Sequence, residues 1–465
     1  MSHLLISAAH KSSGKTSIAV GIAAALSRRG VTVQPFKKGP DFIDPLWLAR
    51  AAGRDCHNLD FYTMAEPEIL ELFARHAGGA ELSLIEGNKG LHDGVDLEGR
   101  DSNAALARLL GAPVVLVIDT RGTIRGVAPL VLGYQAFDPA VSIAGVILNQ
   151  VGGPRHEGKL RAALERYTDV PVLGAVQRDP ALEIGERHIG LIPANEEREA
   201  DSKIARLADA VSAQVDLHRL SEIALAAPLP AAAAAPPAPP APPAPDLRIA
   251  IARDAAFGFY YPGDLEAFAA AGAELVPFDT LSSPELPEAD GLFLGGGFPE
   301  SFMARLSANA GLRASIRTAI GAGLPAYAEC GGLMYLARSL RWNGERHEMA
   351  GVIPGDVVMN ERPKGRGYTQ VEETGRGLWP LQDGTGGNAP ARFPAHEFHY
   401  ASLENLPGDL TYAYRVLRGF GVDGARDGIV IGNLTASFMH LRDVRANHWV
   451  ERFVGFVRER KQSRA

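Results

Sequence analysis

The chain has 465 residues, 46% of them hydrophobic and 22% charged, enough apolar mass for two or three separately packed domains. Its 47 Lys and Arg trail its 54 Asp and Glu, and the net charge of −7 speaks against a nucleic-acid binder that works through a broad basic face. Two cysteines, Cys56 and Cys330, cannot staple a chain of this size and point to a reducing, cytoplasmic setting. With no leader pattern and no apolar run of about 20 residues, no membrane partner is expected.

Residues 3–9 read as a strand running into a Gly/Ser loop, and residues 16–29 as an amphipathic helix. Further strands are expected over 31–36, 82–85, 114–118, 143–148 and 172–176, with helical patterns between them. That alternation predicts an α/β fold with a mostly parallel sheet covered on both faces. Residues 226–245 hold only Ala, Pro and one Leu. Proline removes N–H donors, so this stretch reads as an extended spacer, about 60 Å long at ~3.1 Å per residue. It separates an N-terminal part, 1–225, from a C-terminal part, 246–465. The second part restarts the same grammar with a strand over 248–252, a helix over 263–271 and strands over 291–294 and 324–328. Beyond residue 345 the sequence is β-rich and loop-rich before a final helix over 444–460.

The first strand leads into Ala9-His10-Lys11-Ser12-Ser13-Gly14-Lys15-Thr16, followed by Ser17 and the helix. This is the setting of a P-loop: backbone N–H groups at a helix start cradle phosphates, Lys15 reaches the β- and γ-phosphates, and the Thr16 hydroxyl faces Mg²⁺. Ala9 replaces the usual first glycine, and Lys11 lies at the spacing of the extra lysine in the deviant P-loop subclass. Two acidic loops follow strand ends, one carrying Asp41 and Asp44, the other Glu86 and Asp93. Ligand crevices of open α/β sheets lie at the carboxyl ends of strands, so Thr16, Asp41 and Glu86 are expected to converge on one Mg²⁺ beside ATP.

In the C-terminal part, Tyr327-Ala328-Glu329-Cys330-Gly331-Gly332 joins an apolar strand to a helix. This reads as a nucleophile elbow built on cysteine, with the Gly331 N–H in an oxyanion hole and Gly296 of Gly295-Gly296-Gly297 supplying a second donor. The expected base is His440, with His396 and His399 as alternatives.

Together the P-loop, FKKGPDFIDP, EGNKGLHDG, AFGFYYPGDLEAF, GGGFPE, YAECGGLMYL, HEFHY and ASFMHL resemble the cobyrinic acid a,c-diamide synthase family of glutamine amidotransferases over nearly the whole chain. The resemblance implies an N-terminal ATP domain similar to dethiobiotin synthetase and a C-terminal class I glutaminase. It implies amidation of peripheral acetates of a tetrapyrrole through an acyl phosphate, with glutamine as nitrogen donor and Mg²⁺ and ATP as cofactors. It places Thr16, Asp41 and Glu86 on Mg²⁺, and Asp44 and Asp93 beside the reacting carboxylate. Glutamine hydrolysis falls to Cys330 and His440. Class I glutaminases commonly carry His-x-Glu, but His440-Leu441-Arg442 offers no acid there, and Asp443 stands one residue further on. No nucleic-acid partner is implied, and a homodimer is compatible with the family.

This chain departs from the corrin-amidating pattern at Lys38, Leu48, Asn88 and Lys89. These positions are expected around the macrocycle, and they resemble a branch that amidates sirohaem, which the sequence favours over cobyrinic acid. Nickel-sirohydrochlorin amidation is a third substrate of the same chemistry. Two rivals are cobyric acid synthase, which FKKGPDFIDP disfavours, and a deviant P-loop switch ATPase, which has no use for the Cys330 half.

Overall fold

The structure, a computed structural model, describes residues 1–187, 190–228, 241–381 and 390–464. Of the Ala/Pro stretch 226–245, residues 229–240 lie outside the described residues. The chain divides into two compact units, Met1–Ala238 and Pro239–Ala465. Among the described residues no helix is long and apolar enough to cross a membrane.

The N-terminal unit is a seven-stranded, all-parallel sheet. Its strands are β1 His3–Ala8, β2 Val33–Lys38, β3 His57–Leu59, β4 Leu82–Glu86, β5 Val114–Asp119, β6 Ile143–Val151 and β7 Val172–Gln177, in the spatial order β3-β2-β4-β1-β5-β6-β7. Continuous apolar runs such as Val114–Ile118 suit strands buried on both faces. Each expected strand is present, within a few residues at its ends. The three-residue edge strand β3 was not expected, being too short to show a period. Helix α1, Lys15–Arg28, follows β1 and packs on the helix Ala200–Gln214. A Cβ at Gly21 of α1 would stand 2.5 Å from Val211 Cγ2 and 2.9 Å from the Leu207 carbonyl oxygen, so this close approach requires glycine. Helix α2, Ile43–Ala52, follows β2.

The C-terminal unit holds a nine-stranded mixed sheet. Its strands are β8 Leu247–Ala252, β9 Ala273–Phe278, β10 Gly291–Leu294, β11 Ala326–Glu329, β12 Gly365–Glu373, β13 Arg392–His399, β14 Thr411–Arg418, β15 Arg426–Ile431 and β16 Leu434–Ser437. The spatial order is β9-β8-β10-β11-β16-β15-β14-β12-β13. The segment from β9 to β16 is parallel; from β16 to β13 each pairing is antiparallel. The final helix is Trp449–Gln462, starting later than the expected residue 444. Residues Val444 and Asn447 instead close a tight turn, and Asp443 Oδ2 accepts from the Val450 N–H at the new helix start.

Candidate functional site

Each unit carries a cluster of reactive side chains at the carboxyl ends of its parallel strands. In the first, α1 begins at Gly14, in the left-handed region at φ 79°. A Cβ there would lie 2.1 Å from Asn149 Nδ2, which donates to the Ser13 carbonyl and braces the loop from β6. Lys11 and Ser12 are exposed, Ser12 at φ 64°, and Ser13 Oγ donates to the His10 carbonyl. Ser17 is half-buried on the first turn.

Glu86, at the end of β4, stands in register with Ile6 of β1 and Lys37 of β2. That pairing gathers the cluster. Glu86 Oε1 lies 2.5 Å from Lys15 Nζ and accepts from Thr16 Oγ1 at 2.7 Å. Thr16 Oγ1 also lies 3.2 Å from Asp44 Oδ2. Lys37, almost fully buried, donates to Asp44 and to the Gly87 carbonyl, with Nζ 3.3 Å from Glu86 Oε2 and 3.7 Å from Asp41 Oδ2. Burial opposes the charge on Lys37, but Asp44, Glu86 and Asp41 outweigh it and hold the ammonium above its ordinary pKa. Burial likewise opposes ionisation of Asp44, and Lys37 and Lys15 overcome it, keeping the carboxyl below its usual range. Asp41, pushed up by burial and by Asp44, caps α2 by accepting from the Ile43 and Asp44 N–H groups.

Thr16, Asp41 and Glu86 thus offer hard oxygen donors within one small volume, the donor set Mg²⁺ prefers. Glu86 Oε2 is buried and accepts no hydrogen bond among the described residues, so the residues present fit a divalent cation.

The remaining predicted residues fall in two groups. Lys38 is buried, its pKa lowered chiefly by that burial, and its Nζ lies 3.4 Å from Asn88 Oδ1. Lys89 is exposed at φ 42°, and Asp93 is exposed and closes a turn by accepting from the Gly90 N–H. Leu48 is a correction. It is fully buried in the core under α1 and α2, so its side chain is packing rather than a macrocycle contact. Residue identity alone did not reveal which face of α2 it occupies.

In the second cluster, β11 delivers Cys330 and the adjacent β16 delivers His440, with Glu329 in register with Ser437. Cys330 sits at φ 47°, ψ −102°, a strained turn for a side-chain-bearing residue, costing about 1–3 kcal/mol. Its N–H donates to the Ser437 carbonyl at 2.7 Å, and the Gly331 N–H is directed at its sulfur. Burial, and next the Glu300 carboxylate, push the thiol pKa up, so the resting sulfur keeps its proton and needs a base. A Cβ on Gly331 would stand 3.0 Å from Gly297 N, and one on Gly296 would stand 2.5 Å from His440 Cε1. The glycine loop therefore lies against both the elbow and His440. Asp427 fixes the segment before His440 by accepting from Ser437 Oγ and from the Phe438 and Met439 N–H groups.

His396 stacks on His440, with ring centroids 4.9 Å apart and 16° between planes, while His399 stacks instead on Phe438. Sequence reasoning missed Lys37 and Glu329. A faint signal existed for each: Lys37 stands four residues before Asp41, and Glu329 is the acid next to the nucleophile. Together a buried thiol and an imidazole set against one glycine loop can open an amide, and a P-loop with clustered carboxylates can handle a nucleotide phosphate.

Residues 5–192 match the CobQ/CobB/MinD/ParA nucleotide binding domain, and residues 248–446 the CobB/CobQ-like glutamine amidotransferase domain. A protein of Magnetococcus marinus named cobyrinate a,c-diamide synthase is 47% identical over 98% of this chain and 97% of its own. Proteins of that name from Methanosarcina acetivorans and Listeria innocua are 41% and 39% identical, each over 95% of this chain and over 92% and 96% of their own. On this likeness, which spans both units and both clusters, the chain belongs to the cobyrinate a,c-diamide synthase family and is a glutamine-dependent amidating ligase.

Proposed function

We propose that the chain amidates the a and c acetate side chains of cobyrinate, drawing nitrogen from glutamine and activation from ATP with Mg²⁺. The observation that carries this reading is the 47% identity over 98% of the chain to a relative of that name. Residues 1–225 act as the ATP-dependent amidoligase, 226–245 as the spacer and 246–465 as the glutaminase, in the reducing cytoplasm that two free thiols suit.

A carboxylate is a poor electrophile, and ammonium is no nucleophile, so the two clusters solve separate problems. In the N-terminal unit the loop from Lys11 to Ser17 and the Lys15 ammonium hold the phosphates of ATP. An acetate oxygen attacks the γ-phosphorus, the bond to the bridging oxygen breaks and ADP leaves. Ammonia then attacks the acyl carbon and phosphate leaves, giving the amide. Thr16, Asp41 and Glu86 would hold Mg²⁺, which when bound offsets charge on the transferring phosphoryl group. Lys37 keeps Asp41, Asp44 and Glu86 together despite their mutual repulsion. Asp44 and Asp93 stand beside the acetate and its phosphorylated form.

In the C-terminal unit Cys330 gives its proton to His440 and the sulfur attacks the glutamine amide carbon. The N–H groups of Gly296 and Gly331 receive the oxyanion. The C–N bond breaks as His440 returns the proton to the leaving ammonia. Water, deprotonated by His440, then hydrolyses the thioester and releases glutamate.

A second substrate, sirohaem, rests on the departures of Lys38, Asn88 and Lys89 from the corrin-amidating pattern. The deciding experiment incubates the protein with glutamine, Mg-ATP and either cobyrinic acid or sirohaem, and reads OH-to-NH₂ exchanges by mass spectrometry. Two exchanges on cobyrinic acid alone are expected. Exchange on sirohaem alone assigns the second substrate, and ATP hydrolysis with no exchange on either overturns the amidation of both.

A further inference from the structure

We propose that Glu329, the residue preceding the nucleophile, is the positioning carboxylate that orients His440. The inference rests on the glutaminase reading above and deepens it. A histidine that must take a thiol proton at Nε2 needs its own hydrogen on Nδ1, and an acceptor facing Nδ1 selects that tautomer. The acid that follows His440 most closely, Asp443, is engaged elsewhere. Asp443 Oδ2 accepts from the Val450 N–H, and its Oδ1 lies 3.3 Å from His448 Nδ1, so it caps the final helix.

Glu329 fills the role from the other strand. Its side chain is 4% exposed, and Oε1 accepts from Tyr327 Oη at 2.7 Å and from the Leu441 N–H at 2.8 Å. Leu441 is the neighbour of His440, so the same carboxylate is tied to the backbone that carries the imidazole. Oε2 then stands 3.4 Å from His440 Nδ1. In ligand-free sites catalytic hydrogen bonds are often longer than in the substrate complex. Glu397 is instead taken by the Phe420 and Gly421 N–H groups. The ring is further fixed by His396 stacked on it, whose Nδ1 lies 3.2 Å from Tyr261 Oη. Because β11 and β16 are neighbours, Glu329 and Cys330 leave the strand end in succession, and the turn at Cys330 lets one residue orient the base and the next attack.

The test compares Glu329→Gln and Glu329→Asp with Cys330→Ser in the full chain. Glutamine- and ammonia-dependent amidation, KM for glutamine, the pH profile and thermal stability are all read. In Glu329→Gln we expect kcat with glutamine to fall on the order of 10²–10⁴-fold with KM nearly unchanged. The acid limb of kcat/KM should move to lower pH, because the imidazolium loses its counter-charge. Ammonia-dependent amidation should persist, and Glu329→Asp should recover part of the loss. Unchanged kcat and pH profile in Glu329→Gln, with Cys330→Ser inactive on glutamine, overturns the role of Glu329 alone. Loss of both activities with a lowered melting temperature in both Glu329 variants marks a purely structural residue and also overturns it. Glutamine use that survives Cys330→Ser overturns the glutaminase reading itself.

Discussion

His440 has little freedom. One face of its ring stacks on His396, Nδ1 stands near Glu329, and Cε1 lies where a side chain at Gly296 would be. The last contact gives a residue-scale prediction. Gly296→Ala places a Cβ 2.5 Å from Cε1, closer than real atoms pack, so the ring must shift. A displacement approaching 1 Å costs about 10²-fold in a positioned reaction. Glutamine-dependent amidation should therefore fall about 100-fold while amidation from added ammonia stays near wild type, measured by parallel assays with the two nitrogen sources. An unaltered glutamine rate would mean that the glycine loop is not part of the glutaminase pocket. Residue scale is also where the sequence was least legible. Lys37 and Lys38 are adjacent and chemically identical, yet the period of two along β2 sends them to opposite faces. Lys37 meets three carboxylates and Lys38 meets Asn88, and only the register with Glu86 decides which is which.

At the scale of elements, most strands were readable because a parallel sheet buried on both faces demands apolar runs, and turn residues punctuate them. The misses follow from the same physics. Leu48 lies on a helix whose buried residues are Pro45, Trp47, Leu48 and Ala51, so a side chain expected at the ligand belongs to the core. The final helix starts late because Asp443 reaches its N–H from a turn, a contact that periodicity cannot show. Helix packing yields a paired prediction in which one substitution has opposite signs. Gly21 of α1 abuts Val211 and the Leu207 carbonyl, whereas a methyl group added at Gly158, on the helix Pro154–Tyr167, would meet nothing within 4 Å. Gly21→Ala should destabilise the N-terminal unit by about 1–3 kcal/mol through overpacking. Gly158→Ala should stabilise it by up to about 1 kcal/mol, since alanine is the better helix former and restricts the unfolded chain. Chemical denaturation of the two variants checks the pair. Destabilisation by both would remove helix propensity as the governing effect at residue 158.

At the scale of the whole molecule, the proposed function divides two chemistries between separate residue sets, so each should be open to silencing alone. Replacing Glu86 by alanine would take from buried Lys15 its paired carboxylate and from Lys37 one of three, a loss of about 3–5 kcal/mol that confuses folding with function. Glu86→Gln and Asp41→Asn keep the volume and part of the hydrogen bonding while removing the charge a cation needs. These variants should lose amidation from either nitrogen source by about 10³-fold or more, and should still release glutamate from glutamine at a basal rate. Cys330→Ser should do the reverse, with amidation kept on ammonia and lost on glutamine. Crossing the two sets makes the outcome unambiguous. Two complementary losses require two independent sites in one chain, as the separate burial and separate hydrogen-bond networks of Glu86 and Cys330 lead one to expect. If instead Glu86→Gln abolishes glutamate release as well, glutamine hydrolysis depends on an occupied nucleotide site. That dependence would keep ammonia from being made before the acid is activated, and it would show as glutamate release that rises on adding Mg-ATP to the wild type and not to Glu86→Gln.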